Sequence, residues 1–273
     1  MNTNERRLVD TVWQHYYTYG RHELPWRRTT DPYRILVSEV MLQQTQVLRV
    51  LPKYRAFIRQ FPNTKQLASA SLADVLRLWQ GLGYNRRAQS LWRSAQHVHQ
   101  HHSGKWPRTE TELKLLPGIG LYTAAAVCAF AYNQPVIMIE TNIRTVYLHH
   151  CFPEQRCVSD AALLPVIRRT CDQGSPRTWY WALMDYGAYL KSVHKVNNKR
   201  SAAYTKQSTF QGSTRQIRGA IIRVLSEAAS ALPDRQLKKR LAEFDVEQTS
   251  VQLQQLRAEK LVVFDNNTWS LPT

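Results

Sequence analysis

The chain has 273 residues, 43% of them hydrophobic, with 37 Lys and Arg against 20 Asp and Glu and a formal net charge of +17. That much apolar material builds a core, which excludes disorder as the reason for the charge, and the length permits one large domain or two smaller ones. So large an excess of positive charge points to a polyanionic partner, nucleic acid before membrane.

No apolar signal core opens the chain and no run approaches the length of a membrane span, so no membrane partner and a cytoplasmic setting are expected. The four cysteines (Cys128, Cys151, Cys157 and Cys171) form no C-x-x-C pair and read as reduced thiols, not as a zinc site.

Apolar spacing predicts helices along most of the chain, and the fold class read from it is mainly α. Residues 9–17 form the first helix, broken by Leu24-Pro25-Trp26-Arg27-Arg28. Residues 33–57 are one long periodic stretch that Pro52 divides in two. Residues 67–79 follow, with Ser71 as an N-cap, then a turn at Gly81-Leu82-Gly83-Tyr84 and a helix over 88–99. His97, His99, His101 and His102 sit at the polar end of that helix and read as a solvated terminus. Helices continue through 146, over 161–171 and over 178–189. From 191 to 215 the chain is polar and basic, without helical periodicity. Three short helices (217–225, 237–241, 251–256) and a hairpin around Asp265-Asn266-Asn267 then suggest a winged-helix-like module.

The run Leu116-Pro117-Gly118-Ile119-Gly120-Leu121-Tyr122-Thr123-Ala124 carries the most information. It is a tight Pro-Gly-x-Gly turn between two helical stretches. Gly118 and Gly120 let backbone N–H groups approach a ligand without a Cβ in the way, and the turn feeds a helix N-terminus that suits a phosphate. Glu140 follows as an isolated acid after the apolar strip Val136-Ile137-Met138-Ile139. A phosphate grip followed by a sheltered carboxylate suggests an enzyme that holds a nucleic-acid backbone and stabilises positive charge beside it.

Those residues, with Leu24-Pro25-Trp26-Arg27-Arg28, Asp31-Pro32-Tyr33, Ser38-Glu39-Val40-Met41-Leu42-Gln43-Gln44-Thr45-Gln46-Val47, Trp79-Gln80-Gly81-Leu82-Gly83-Tyr84 and Arg87-Ala88, closely resemble MutY-type adenine DNA glycosylases over about residues 5–190. The resemblance implies the two-lobed helix-hairpin-helix glycosylase fold over 1–190, a basic linker over 191–215 and the winged-helix-like module over 216–273. It implies that Glu39 protonates the departing adenine, that Glu140 stands where the family has the aspartate that stabilises the cationic sugar, and that Tyr122 and Asn142 accompany it. Gln44 and Tyr84 match residues that enter the base stack as the target base is flipped out, with Leu82 expected to assist. Gly118 and Gly120 hold phosphate, Arg27, Arg28 and Lys191 are further DNA contacts, and the carbonyls of Lys114, Leu116 and Ile119 match a site for Na+ or K+.

The departures carry expectations of their own. Tyr122 replaces the lysine of strand-cleaving relatives, which implies a monofunctional enzyme. Lys191, Asn198, Ser201 and Gln207 stand where the family places four cluster cysteines, so no iron–sulfur cluster and no other cofactor is expected. The 216–273 stretch is too short for the Nudix-like domain typical of the family and reads as a winged helix, so no such domain is expected in it. The expected partner is double-stranded DNA with a mismatch or lesion, bound by a monomer. The expected reaction is removal of adenine opposite guanine or 8-oxoguanine. A thymine or uracil mismatch glycosylase and a catalytically impaired damage-binding protein are the alternatives.

Overall fold

The computed structural model describes residues 1–196, 198–206 and 209–273. The helices are α1 (Thr3–Tyr19), α2 (Pro32–Leu42), α3 (Val47–Gln60), α4 (Thr64–Ala68), α5 (Leu72–Trp79), α6 (Arg86–His101), α7 (Glu110–Leu113), α8 (Leu121–Tyr132), α9 (Thr141–His150), α10 (Asp160–Thr170), α11 (Pro176–Ser192), α12 (Thr214–Glu227), α13 (Asp234–Arg240) and α14 (Val246–Ala258). Strands β1 (Leu232–Pro233), β2 (Val263–Asp265) and β3 (Thr268–Ser270) form one antiparallel sheet in the order β1-β3-β2. The fold is mainly α, as read from the sequence. No helix of the described residues is long and apolar enough to cross a membrane.

Local chemistry sets the helix starts. Asn2 and Glu5 form a reciprocal capping box on α1, and Ser71 accepts the Asp74 N–H at 3.1 Å to begin α5. Asp31 begins α2 by accepting the Tyr33 N–H at 2.9 Å.

The 33–57 stretch does contain two helices, but they divide at Gln43–Gln46, with Gln44 in the left-handed region at φ 53°, and not at Pro52. Pro52 lies inside α3. The hydrogen bond it forgoes would have reached the carbonyl of Leu48, an exposed first-turn residue where water serves as well. Strand β1 was not foreseen either; at two residues it carries no alternation to read.

The chain divides into two compact units. The first takes Met1–Leu36, Arg108–Leu115 and Ile119–Lys206. Its α8 is alanine-rich and buried from Thr123 to Ala131, and α11 packs against α9, where a Cβ on Gly187 would collide with the Asn142 backbone. The second takes Val37–Pro107, Leu116–Gly118 and Gln207–Thr273. Within it the C-terminal elements are tied to α5 and α6. Gln89 donates to the carbonyls of Glu259 (2.9 Å) and Lys260 (3.2 Å), Gln80 to the Ser226 hydroxyl (3.2 Å), and the Ala73 N–H to the Pro272 carbonyl (3.0 Å).

Candidate active site and nucleic-acid interface

In the second unit, Glu39 lies on α2 within the unbroken buried run from Val37 to Met41 and is itself 6% exposed. A helix buried on all sides is a central helix, and a carboxyl set in it is costly unless it is hydrogen-bonded, paired or neutralised. Glu39 does have an interaction partner.

Arg87 fastens the end of α2 to the turn at 81–84. Its guanidinium donates to the carbonyls of Val40 (2.6 Å), Gln43 (2.6 Å) and Leu82 (3.0 Å) and stacks over Trp79 and Tyr84. Burial lowers its pKa to about 10, so it stays charged at neutral pH. Sequence reasoning placed Arg87 in the family motif but gave it no role in the site. The signal was there, in a cation three residues after Tyr84 at the start of the helix that follows the glycine-rich turn.

Gln44 and Tyr84 both take left-handed backbone, at φ 53° and 48°. Side-chain-bearing residues rarely do so, and those that do gather at functional sites. Tyr84 is 38% exposed and Leu82 is buried.

At the hairpin, Gly118 has φ 73°, and a Cβ there would stand 2.5 Å from the Ser90 Cβ, so glycine is needed for conformation and for close approach. The Ser94 hydroxyl holds the Pro117 carbonyl at 2.8 Å. Gly120 is the N-cap of α8 in extended backbone, no side chain caps that helix, and the space around a Cβ there is open. Lys114, Leu116 and Ile119 lie along this turn between α7 and α8.

In the first unit, Glu140 is the N-cap of α9. Its Oε1 accepts the backbone N–H groups of Asn142 (2.7 Å) and Ile143 (2.8 Å), and its Oε2 accepts the Asn142 side-chain amide (3.2 Å). Burial of the carboxyl raises its pKa above the ordinary value. The two backbone donors and the charges of Lys191 and Arg144 pull it back. Lys191, four residues after Gly187 and so on the same face of α11, has its own pKa lowered by burial and raised by Glu140. Glu140, Asn142 and Lys191 are therefore brought together, while Tyr122 stands half-buried in the first turn of α8.

Arg27 takes a different post from the one expected. Its guanidinium, 4% exposed, makes a bidentate pair with Asp185 on α11 (Nη1 to Oδ2 2.7 Å, Nη2 to Oδ1 2.7 Å), which leaves it no surface for a phosphate. Arg21 joins the same carboxylate at 2.6 Å. Arg28 is exposed beside Glu23. Asp185 was also missed, although an acid in the apolar stretch of α11 has the same signature as Glu140.

No group of three or more His, Cys, Asp or Glu among the described residues is arranged to hold a metal. The segment after α11 does not fit an iron–sulfur cluster, since it contains no thiol. Arg200 instead donates to the carbonyls of Leu148, Phe152 and Pro153, and Ser201 bridges to Val158. Gln207 lies outside the described residues.

Residues 37–162 match the family model described as HhH-GPD superfamily base excision DNA repair protein. The adenine DNA glycosylase of Mycolicibacterium smegmatis is 35% identical over 246 residues, covering 81% of this chain and 82% of the relative. The chain belongs to the adenine DNA glycosylase family. The Mycobacterium tuberculosis H37Rv adenine DNA glycosylase is 34% identical over 253 residues, 83% of this chain and 81% of that one. The Buchnera aphidicola (Baizongia pistaciae) adenine DNA glycosylase is 34% identical over 196 residues, and this chain spans 55% of its length. Among solved structures, a thermostable thymine-DNA glycosylase superposes with a TM-score of 0.63 at 24% identity. A non-covalent endonuclease III–DNA complex does so at 0.60 and 18%, each covering 73% of this chain and 97% of the other. Those likenesses extend the family's fold and carry no substrate with them.

Proposed function

We propose that this member of the adenine DNA glycosylase family is a monofunctional enzyme that hydrolyses the N-glycosidic bond of adenine mispaired with guanine or 8-oxoguanine in double-stranded DNA. The observation that carries the reading is 35% identity to a mycobacterial adenine DNA glycosylase across 246 residues, in a chain that has carboxylates at 39 and 140.

Glu39, in its buried helix, gives a proton to N7 of adenine while the bond to the sugar breaks and its electron pair leaves with the base. The Glu140 carboxylate stabilises the resulting oxocarbenium-like sugar. Asn142 orients the sugar and the attacking water, which adds to C1′ and returns its proton to Glu39. Tyr122 offers no amine for a Schiff base, so the product is an intact abasic site. Gly118 and Gly120 hold phosphate, with Na+ or K+ on the carbonyls of Lys114, Leu116 and Ile119. Gln44, Leu82 and Tyr84 occupy the space of the extruded base, and Arg28 adds a phosphate contact. The winged-helix-like 216–273 module supplies a further DNA surface, and the enzyme acts as a monomer on DNA in the cytoplasm.

Single-turnover excision on duplexes with adenine opposite 8-oxoguanine, adenine opposite guanine, thymine opposite guanine and uracil opposite guanine tests this reading. Alkali-dependent cleavage at adenine is expected, with none in Glu39→Gln. Cleavage at thymine or uracil instead would move the substrate, and tight binding without cleavage would make the chain a damage-binding protein.

A further inference from the structure

Tyr84 does not stand alone on its turn. The Arg215 guanidinium, at the start of α12, donates from Nη1 to the Tyr84 hydroxyl at 2.9 Å and lies 5.7 Å from its ring centroid. Arg87 lies 5.5 Å from the same centroid and is itself fixed by backbone carbonyls of 40, 43 and 82. All three residues belong to the second unit. An aromatic ring on a left-handed backbone, part-exposed and held by two guanidinium groups, is a side chain fixed in one orientation. Arg87 belongs to the turn's own neighbourhood, whereas Arg215 stands 131 positions further along the chain than Tyr84.

We infer that Arg215 is a positioning residue that holds Tyr84 ready to enter the base stack, so that the C-terminal segment takes part in base extrusion. The inference rests on the wedge role proposed for Tyr84. A clamp of this kind lowers the ordering cost of insertion, because the wedge is already in its working conformation when DNA arrives. Its planarity matters as well as its charge, since lysine cannot reproduce the fork and stack together.

The test uses the full chain and a duplex with 2-aminopurine beside the target adenine, whose fluorescence rises when the base is extruded. It compares the parent with Arg215→Ala, Arg215→Lys, Tyr84→Ala and the double variant. Both Arg215 variants are expected to slow extrusion by roughly tenfold at most, the scale of one cation–π contact. Tyr84→Ala should slow it further, and adding Arg215→Ala to Tyr84→Ala should change nothing more. The salt dependence of duplex affinity should stay that of the parent.

Extrusion at the parental rate in Arg215→Ala overturns the inference. So does normal extrusion in Arg215→Lys with a salt slope reduced by about one in Arg215→Ala, because that pair of results makes Arg215 a phosphate contact. If Tyr84→Ala extrudes normally, the wedge role and the clamp fall together. Failure of the adenine reading is seen separately, as a parent enzyme that extrudes the base and does not excise it.

Discussion

The Glu140 carboxylate is joined to Asn142 twice, through the backbone N–H at 2.7 Å and through the side-chain amide at 3.2 Å. One side chain thus caps a helix and presents a negative charge at its N-terminus, where the backbone dipole favours it. The Glu140 carboxylate is bonded by three donors spanning two residues. Asp at this position would draw the carboxylate back by about one bond length and lose part of that set. Glu140→Asp is therefore expected to slow adenine excision about a hundredfold, the scale of a misplaced reacting group. Glu140→Gln keeps the cap acceptor and removes the charge. It should melt within about 1 kcal/mol of the parent and lose excision altogether. Single-turnover kinetics beside thermal unfolding read both outcomes, and an aspartate variant as fast as the parent would show that the extra methylene is merely tolerated.

Lys191 supplies the second prediction. Burial raises the Glu140 pKa, and the Lys191 charge is among the influences that lower it. On the proposed mechanism excision needs Glu140 ionised, so its pKa sets an acid limb in the pH profile. Removing the lysine charge in Lys191→Met lets the pKa rise further, and the acid limb should move to higher pH while the rate on the plateau changes little. A single-turnover pH profile that does not move, together with weaker duplex binding and a smaller salt slope, would return Lys191 to the role of a phosphate contact.

Ser71, Gly118 and Glu140 show why so much was legible in the residues. A cap, a left-handed glycine and a lone acid after an apolar strip each act within a few positions of chain, and chain order preserves that information. Arg87 and Asp185 show the opposite case. Arg87 reaches the carbonyls of 40 and 43, and Asp185 meets Arg21 and Arg27 more than 150 positions away. A lone charge by a turn or in an apolar stretch can be noticed, but no local period or spacing names partners so far apart, so Arg27 read as a DNA contact and the role of Asp185 went unread. Pro52 misled for a related reason, since what a proline costs depends on whether water can reach the carbonyl it leaves unpaired.

Asp185 supplies the third prediction. It is 4% exposed and holds one guanidinium bidentate and a second from outside. Burial raises its pKa, and the bonds and charges of Arg27 and Arg21 more than reverse this, leaving it below the ordinary value. A carboxyl whose folded pKa is depressed contributes stability above its unfolded pKa and loses it as pH falls through the folded value. Its contribution should be complete at neutral pH and decline below about pH 4. Asp185→Asn leaves Arg27 buried without a counter-charge and should cost about 3–5 kcal/mol in denaturant unfolding at neutral pH. The gap to the parent should narrow on acidification, and a constant gap across pH would show that Asp185 is not ionised in the folded protein.

The two hairpin glycines separate structure from binding. Gly118 combines φ 73° with a Cβ position 2.5 Å from Ser90, so Gly118→Ala must strain the backbone and push α6 away. It should lower the melting temperature and weaken DNA binding with it. Gly120 has extended backbone and open space where a Cβ would go. Gly120→Ala should leave the melting temperature near that of the parent, because nothing inside the protein resists the methyl group. If a phosphate approaches the α8 N-terminus there, the same methyl group meets the DNA backbone, and duplex affinity should fall several-fold with the fold intact. Thermal melting and duplex titration on the two variants decide the matter. A Gly120→Ala protein that melts and binds like the parent would mean that the phosphate is held elsewhere on the hairpin.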